Sequence, residues 1–115
     1  QPVYVEDVAA AIVRILETDE ARGKTYELGG PRAYTFKELM ELMLKVKGAS
    51  RVLVPIPFFL AEIQGSVLQM LPTPPLTRDQ VELLKTDNVV GGSAPGLEAL
   101  GITPTPLEEV LPSYL

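Results

Sequence analysis

Hydrophobic positions change period several times along the 115 residues, and each change predicts an element. Val3-Tyr4-Val5 is a short apolar run behind Pro2, which reads as a strand start. Glu6 and Asp7 follow where a helix favours acidic residues. Val8, Ile12, Ile15 and Leu16 then recur at i, i+4, i+7 and i+8, which predicts a helix with those side chains on one face. Residues 18–22 are polar, Gly23 reads as a stop, and residues 24–28 alternate with period two up to Gly29-Gly30-Pro31, so they read as a second strand.

Thr35 and Glu38 have the spacing of a capping box, in which each side chain satisfies a backbone N–H of the first turn. Phe36, Leu39, Met40, Met43 and Val46 form the apolar stripe of that helix, Glu41 and Lys45 are spaced for an ion pair, and Gly48 ends it. Residues 51–56 are apolar and β-branched, a third strand closed by Pro55 and Pro57. Residues 58–71 then read as a helix with Glu62, Ser66 and Gln69 on one face and Phe58, Phe59, Ile63, Val67 and Met70 elsewhere. After the stiff spacer Pro72-Thr73-Pro74-Pro75, Thr77 and Gln80 form a second capping box, opening a helix to about Lys85. Residues 91–96 make a loop and 97–100 a short helical turn stopped by Gly101. Thr105-Pro106-Leu107-Glu108 is a third box with proline at the first helical position, in a helix that Pro112 should cut short. Strand–helix units in this order predict α/β construction.

Composition removes several chemistries. The chain has no Cys and no His, so thiolate and imidazole nucleophiles, bases and zinc ligands are unavailable. Net charge is −5, with −1 on residues 1–50 (7 basic, 8 acidic) and −4 on residues 51–115 (3 basic, 7 acidic). No basic face for nucleic acid follows from that balance. Gly23-Lys24-Thr25 has the last residues of a phosphate-binding loop but lacks its first glycine, since Thr18 stands there, and it lacks a preceding strand. No Gly-x-Gly-x-x-Gly fingerprint is present. Positions four after Tyr4, Tyr26 and Tyr34 hold Val8, Gly30 and Glu38, so no Tyr-x-x-x-Lys pair exists.

Two acidic groups, Glu6-Asp7 and Glu17 with Asp19 and Glu20, read either as helix cap and solvated turn or as ligands for a hard cation. Residues 52–71 carry one formal charge, Glu62, over a length that could span a bilayer. Pro55, Pro57, Gln64, Gly65 and Gln69 argue instead for a core helix, or for an amphipathic one against a partner or a membrane surface. Gln1 is not an initiator methionine, and the opening reads as a strand under way, which suggests a piece of a longer protein with no targeting peptide ahead of it.

Residues 2–9, Pro-Val-Tyr-Val-Glu-Asp-Val-Ala, resemble a Pro-Val-His-Val-Asp-Asp-Val-Ala segment of the extended or atypical short-chain dehydrogenase/reductases, the epimerase-like NAD(P)-binding superfamily. Residues 25–31 resemble the next strand and turn, 35–41 the following helix, and 97–109 the closing Leu-Gly-x-x-Pro and Leu-Glu-Glu elements. Residues 74–84 and 87–90 resemble a narrower group, bacterial relatives of the nucleotide-binding accessory subunit of respiratory complex I (the alpha-subcomplex subunit 9 family).

The resemblance implies an α/β protein, α+β for this chain in isolation: a mostly helical C-terminal subdomain of a Rossmann-like protein, with about three short strands. Residues 1–57 would adjoin the nucleotide-binding sheet and 58–115 form a helical subdomain. NAD(P) would bind to the parent's upstream domain and not to this chain. Tyr4, where epimerases carry His, and Val5 are substrate-cleft candidates, while Phe58, Phe59 and Ile63 are candidates for an interaction surface. The implied partners are the chain's own N-terminal nucleotide-binding domain and complex I subunits or a membrane surface. The implied role is accessory or assembly work in NADH:quinone oxidoreductase, in the cytoplasm or peripheral on the inner membrane. The alternative is the substrate-specificity region of an NAD(P)-dependent reductase or sugar-nucleotide epimerase or dehydratase. This chain alone would catalyse nothing.

Overall fold

Thr35 and Thr77 both start helices by the reciprocal bonds their sequences predict. In the computed structural model, which describes residues 1–115, the Thr35 hydroxyl accepts from the Glu38 N–H (3.2 Å) while the Thr35 N–H donates to the Glu38 carboxylate (2.7 Å). Thr77 and Gln80 repeat the arrangement at 3.3 and 3.0 Å. Five α-helices result: α1 (Val5–Glu17), α2 (Phe36–Lys47), α3 (Phe58–Leu68), α4 (Arg78–Leu84) and α5 (Leu107–Tyr114). Two 3₁₀ turns, Asp19–Ala21 and Leu97–Leu100, complete the regular structure.

The expected α/β architecture is not found: the chain is helical and contains no β-strand. Strands exist only as ladders, and none of the three candidate segments meets a partner segment at ladder register. Residues 3 and 4 are extended, but α1 already begins at Val5. Residues 24–28 are tied across the chain by a single backbone bond, from the Glu27 N–H to the Pro95 carbonyl (3.0 Å). Residues 51–57 run exposed and without regular structure, Val52 being 88% exposed.

The chain forms two compact units, one of residues 1–51 with 89–115 and one of residues 52–88. In the first, Ala11 of α1 and Leu97 and Leu100 of the second 3₁₀ turn make the buried core, with Val3, Ile15, Tyr26, Leu28 and Ile102 packed around them. The inner face of α1 is the expected one only in part: Ile15 packs against this core. Ala11 is fully buried, whereas Ile12 and Leu16 stand 54% and 81% exposed. An alanine lets the 3₁₀ turn approach the helix closely, and that approach selects the face. Gly30 serves the same end beside it: a Cβ there would lie 1.8 Å from the Pro2 carbonyl oxygen. The adjoining Gln1 amide donates to the Gly30 carbonyl (2.8 Å) and accepts from the Val90 N–H (3.1 Å), fastening the chain start to two distant segments.

Helix α2 buries none of its residues fully, and Phe36 of its expected stripe is largely exposed. Glu41 pairs with Lys37 (3.6 Å) on α2, where Lys45 was the expected partner. Helix α5 also departs from its sequence reading. Pro106 occupies the N-cap, no side chain caps it, and the helix continues through Pro112 to Tyr114. A proline this close to a helix end forfeits one i→i−4 bond, too little to stop the last turn.

In the second unit α3 and α4 pack against each other. Gly65 is buried at their contact, where a Cβ would meet the Thr77 carbonyl carbon at 2.9 Å. Val81 of α4 is the buried apolar side chain of this unit.

Candidate functional site

The Pro2–Val5 approach to α1 and one face of α5 border a half-open cavity of about 240 Å³. Leu107, Val110, Leu111 and Tyr114 fall at i, i+3, i+4 and i+7, so helical geometry puts all four on that face. Pro2, Val3, Tyr4 and Val5 form the opposite wall, and Thr105 closes the cavity where the chain turns into α5. Both substrate-cleft candidates, Tyr4 and Val5, are thus lining residues of one apolar cavity.

Thr105 is fixed by Asp7. Its N–H donates to one carboxylate oxygen (2.7 Å) and its hydroxyl to the other (3.0 Å). Partial burial holds the Tyr4 phenol above the ordinary tyrosine range, and the charge of Glu6, a hydrogen bond to Glu6 and the charge of Asp7 push it the same way.

A second, shallower site of about 250 Å³ lies against α2. The Tyr34 hydroxyl donates to Glu108 of α5 (2.8 Å), and the Arg32 guanidinium stacks 4.2 Å from the Tyr34 ring centroid while reaching Glu38 (3.5 Å). Burial and the bond to Glu108 raise the Tyr34 phenol, while Glu108 is held below the carboxylate range by its own backbone N–H and then by Tyr34. These groups satisfy one another, which makes the cluster a clamp between the 31–34 turn and two helices.

In the second unit Phe58, Phe59 and Ile63 stand 50%, 63% and 59% exposed on α3. Val67, Met70 and Leu71 continue the exposed apolar surface, with Leu83 and Leu84 of α4. The one formal charge of residues 52–77, Glu62, is taken up within the unit: Lys85 bridges it to Glu82 (3.0 Å for the latter). The Lys85 ammonium also stands 6.0 Å from the Phe58 ring centroid. Helix α3 is 11 residues long, and no helix of the chain is long and apolar enough to cross a membrane.

The acidic groups of the sequence do not converge on a cation: no three carboxylates gather in the structure. Asp7 goes to Thr105, and Asp19 pairs with Arg22 at 3.0 Å in solvent. Nor do the residues present fit the phosphates of a dinucleotide. Glu6 and Asp7 occupy the first turn of α1, Glu108 and Glu109 that of α5, and the first-turn donors of α2 and α4 are engaged by their own caps.

Several known proteins are similar to the chain over most of its length. It is 36% identical over 94% of its length to the mouse (Mus musculus) mitochondrial NADH dehydrogenase [ubiquinone] 1 alpha subcomplex subunit 9, and 38% identical over 94% to the Arabidopsis thaliana protein of the same name. It is 31% identical over 99% of its length to the Neurospora crassa mitochondrial NADH-ubiquinone oxidoreductase 40 kDa subunit. The chain spans 29%, 29% and 31% of those proteins, less than a third of each. No family model matches it. Over most of its length the chain is homologous to a part of these complex I subunits.

Proposed function

We propose that this chain is the C-terminal, substrate-side and docking region of an NAD(P)-binding protein that serves as an accessory subunit of NADH:quinone oxidoreductase. Similarity to subunits of that enzyme over almost the whole chain supports the assignment. The structural observation that carries the docking role is the exposed surface of Phe58, Phe59 and Ile63, whose neighbouring charge is neutralised inside the unit. Such a surface, apolar and electrically quiet, suits burial against another subunit of the assembly.

NAD(P) belongs in this reading to the remainder of the protein, and that remainder is the second partner. Helix α1 presents it with an apolar stripe of its own, Ile12, Val13 and Leu16, all exposed in the chain by itself. The parent sits peripherally on the membrane-bound enzyme.

The test is to introduce Phe58→Asp and Phe59→Asp into the full-length protein and purify the oxidoreductase. The reading expects the variant to be missing from the assembled enzyme while its own unfolding stays cooperative. Retention at the normal stoichiometry would refute it. The alternative, a substrate-specificity region of a reductase or epimerase, draws on the cavity beside Tyr4 and Val5. It predicts turnover of a small molecule by the full-length protein outside the complex.

A further inference from the structure

The chemistry of the Tyr4 cavity selects against most of what a dehydrogenase-like protein could bind. Its walls hold no charged side chain and no amide. Of its three hydroxyls, that of Thr105 already donates to Asp7 and that of Tyr4 to Glu6, which leaves the phenol of Tyr114 to meet a ligand. A sugar needs several directed partners, and a buried polar group without one is costly. A carboxylate or diphosphate would face Glu6 and Asp7 with no cation among the lining residues. Size narrows the field further. About 240 Å³ exceeds the roughly 150 Å³ of a dry cavity that accepts a benzene ring. It falls short of the roughly 300 Å³ at which sites for drug-sized ligands begin.

We propose that this cavity takes the aliphatic end of an uncharged, lipid-like molecule, held by the apolar walls of Pro2–Val5 and α5 and oriented by the Tyr114 hydroxyl. The proposal rests on the reading of Tyr4 and Val5 as cleft residues and is independent of the docking role of α3. A straight acyl or alkyl chain and an isoprenoid chain share the required chemistry.

The experiment uses full-length protein and three ten-carbon probes at pH 8: decan-1-ol, geraniol and decanoate, titrated by calorimetry. Decanol, geraniol or both bind, the stronger of them naming the chain type, and decanoate binds at least tenfold more weakly. A diazirine analogue of the better neutral probe labels residues within 105–115 of the unsubstituted protein. Val110→Trp, which fills the cavity from α5, lowers affinity at least tenfold. Equal binding of decanoate, labelling within 52–88, an unaffected folded Val110→Trp protein, or no uptake of any probe because the rest of the protein fills the space would each overturn the proposal. Incorporation of the same variant into the oxidoreductase is followed in parallel. Failed uptake with normal incorporation removes the cavity proposal alone, and lost incorporation by Phe58→Asp bears on docking alone.

Discussion

Asp7 and Thr105 lie 98 positions apart, yet both oxygens of the Asp7 carboxylate are held by Thr105, one by its N–H at 2.7 Å and one by its hydroxyl at 3.0 Å. The residue that the sequence marks as a first-turn acid of α1 thus fastens the entry to α5, and with it one end of the Tyr4 cavity. Hydrogen bonds to a charged group contribute about 1.5–3 kcal/mol each when partly shielded from water. Asp7→Ala is expected to destabilise the first unit by about 2 kcal/mol. Thr105→Val, which keeps the backbone donor, should cost less. Because both act on one contact, their double mutant should cost less than the sum of the singles in a denaturant-unfolding cycle. Additive losses would show that the two residues act separately.

Gly65 offers a contest between two effects of known sign. Alanine is the better helix former by about 1 kcal/mol, so an exposed site would gain from Gly65→Ala. Here the new Cβ would sit 2.9 Å from the Thr77 carbonyl carbon and 3.0 Å from the Arg78 nitrogen, backbone atoms that cannot swing aside. Overpacking of this kind costs about 1–3 kcal/mol, and α3 and α4 must part to relieve it. A net loss of stability on urea unfolding is expected. A net gain would mean that the helix pair is free to separate.

The Glu62–Lys85 pair predicts a plateau in the pH dependence of the second unit. Glu62 is held below the usual carboxylate range by the hydrogen bond from Lys85 and then by its charge, and Lys85 is held above the usual ammonium range by its bonds to Glu62 and Glu82. A lowered carboxyl contributes stability above its unfolded value, about 4.3, and loses it as pH falls through the folded value. A raised ammonium contributes below its unfolded value, about 10.4, and loses it as pH rises through the folded one. Melting temperature should therefore be flat between those limits and fall on both sides. Glu62→Gln should flatten the acid limb in a thermal-unfolding series. The effect will be small, because both side chains keep about a third of their surface in water.

The aromatic pair of α3 separates an interface from a core. Phe58 and Phe59 keep half or more of their surface exposed, so an aspartate there leaves little packing to lose. Phe59→Asp should change the unfolding free energy of the chain by about 0.5 kcal/mol or less, while abolishing incorporation of the full-length protein into the oxidoreductase. Equal loss of folding cooperativity would show that these rings support the unit itself.

What was legible in the sequence was local. The capping boxes at Thr35 and Thr77 act within four residues, and both formed as read. Thr105 had the same signature but turned to Asp7, a partner no local pattern could supply. The inner face of α1 is legible only in part: periodicity finds Ile15 but weights large side chains, while Ala11 takes its place by being small enough for Leu97 and Leu100 to come close. Residues 24–28 and 51–56 carry strand-like composition, but composition provides no ladder partner, and within this chain they have no regular structure. The Tyr4 cavity was half visible: Tyr4 and Val5 stood out, whereas the opposing α5 face required the fold to bring residues 107–114 against them.

The last prediction concerns the dinucleotide. Phosphate groups bind where a helix start leaves backbone N–H groups free, in a turn whose glycines admit them closely. In this chain the first turns of α1 and α5 carry Glu6 with Asp7 and Glu108 with Glu109, which repel an anion, and Thr35 and Thr77 spend the donors of α2 and α4 on their own capping boxes. The start of α3 has no side-chain cap, but it carries Phe58 and Phe59 behind Pro57 and no glycine-rich turn. Calorimetric titration of NADPH into this chain should give no binding heat, and the full-length protein should bind. Micromolar affinity of the chain alone would place a phosphate site among these helices and move the cofactor into the segment that is here given the substrate and docking roles. Absence of binding by both would detach the accessory role from the nucleotide altogether and leave the α3 surface as its basis.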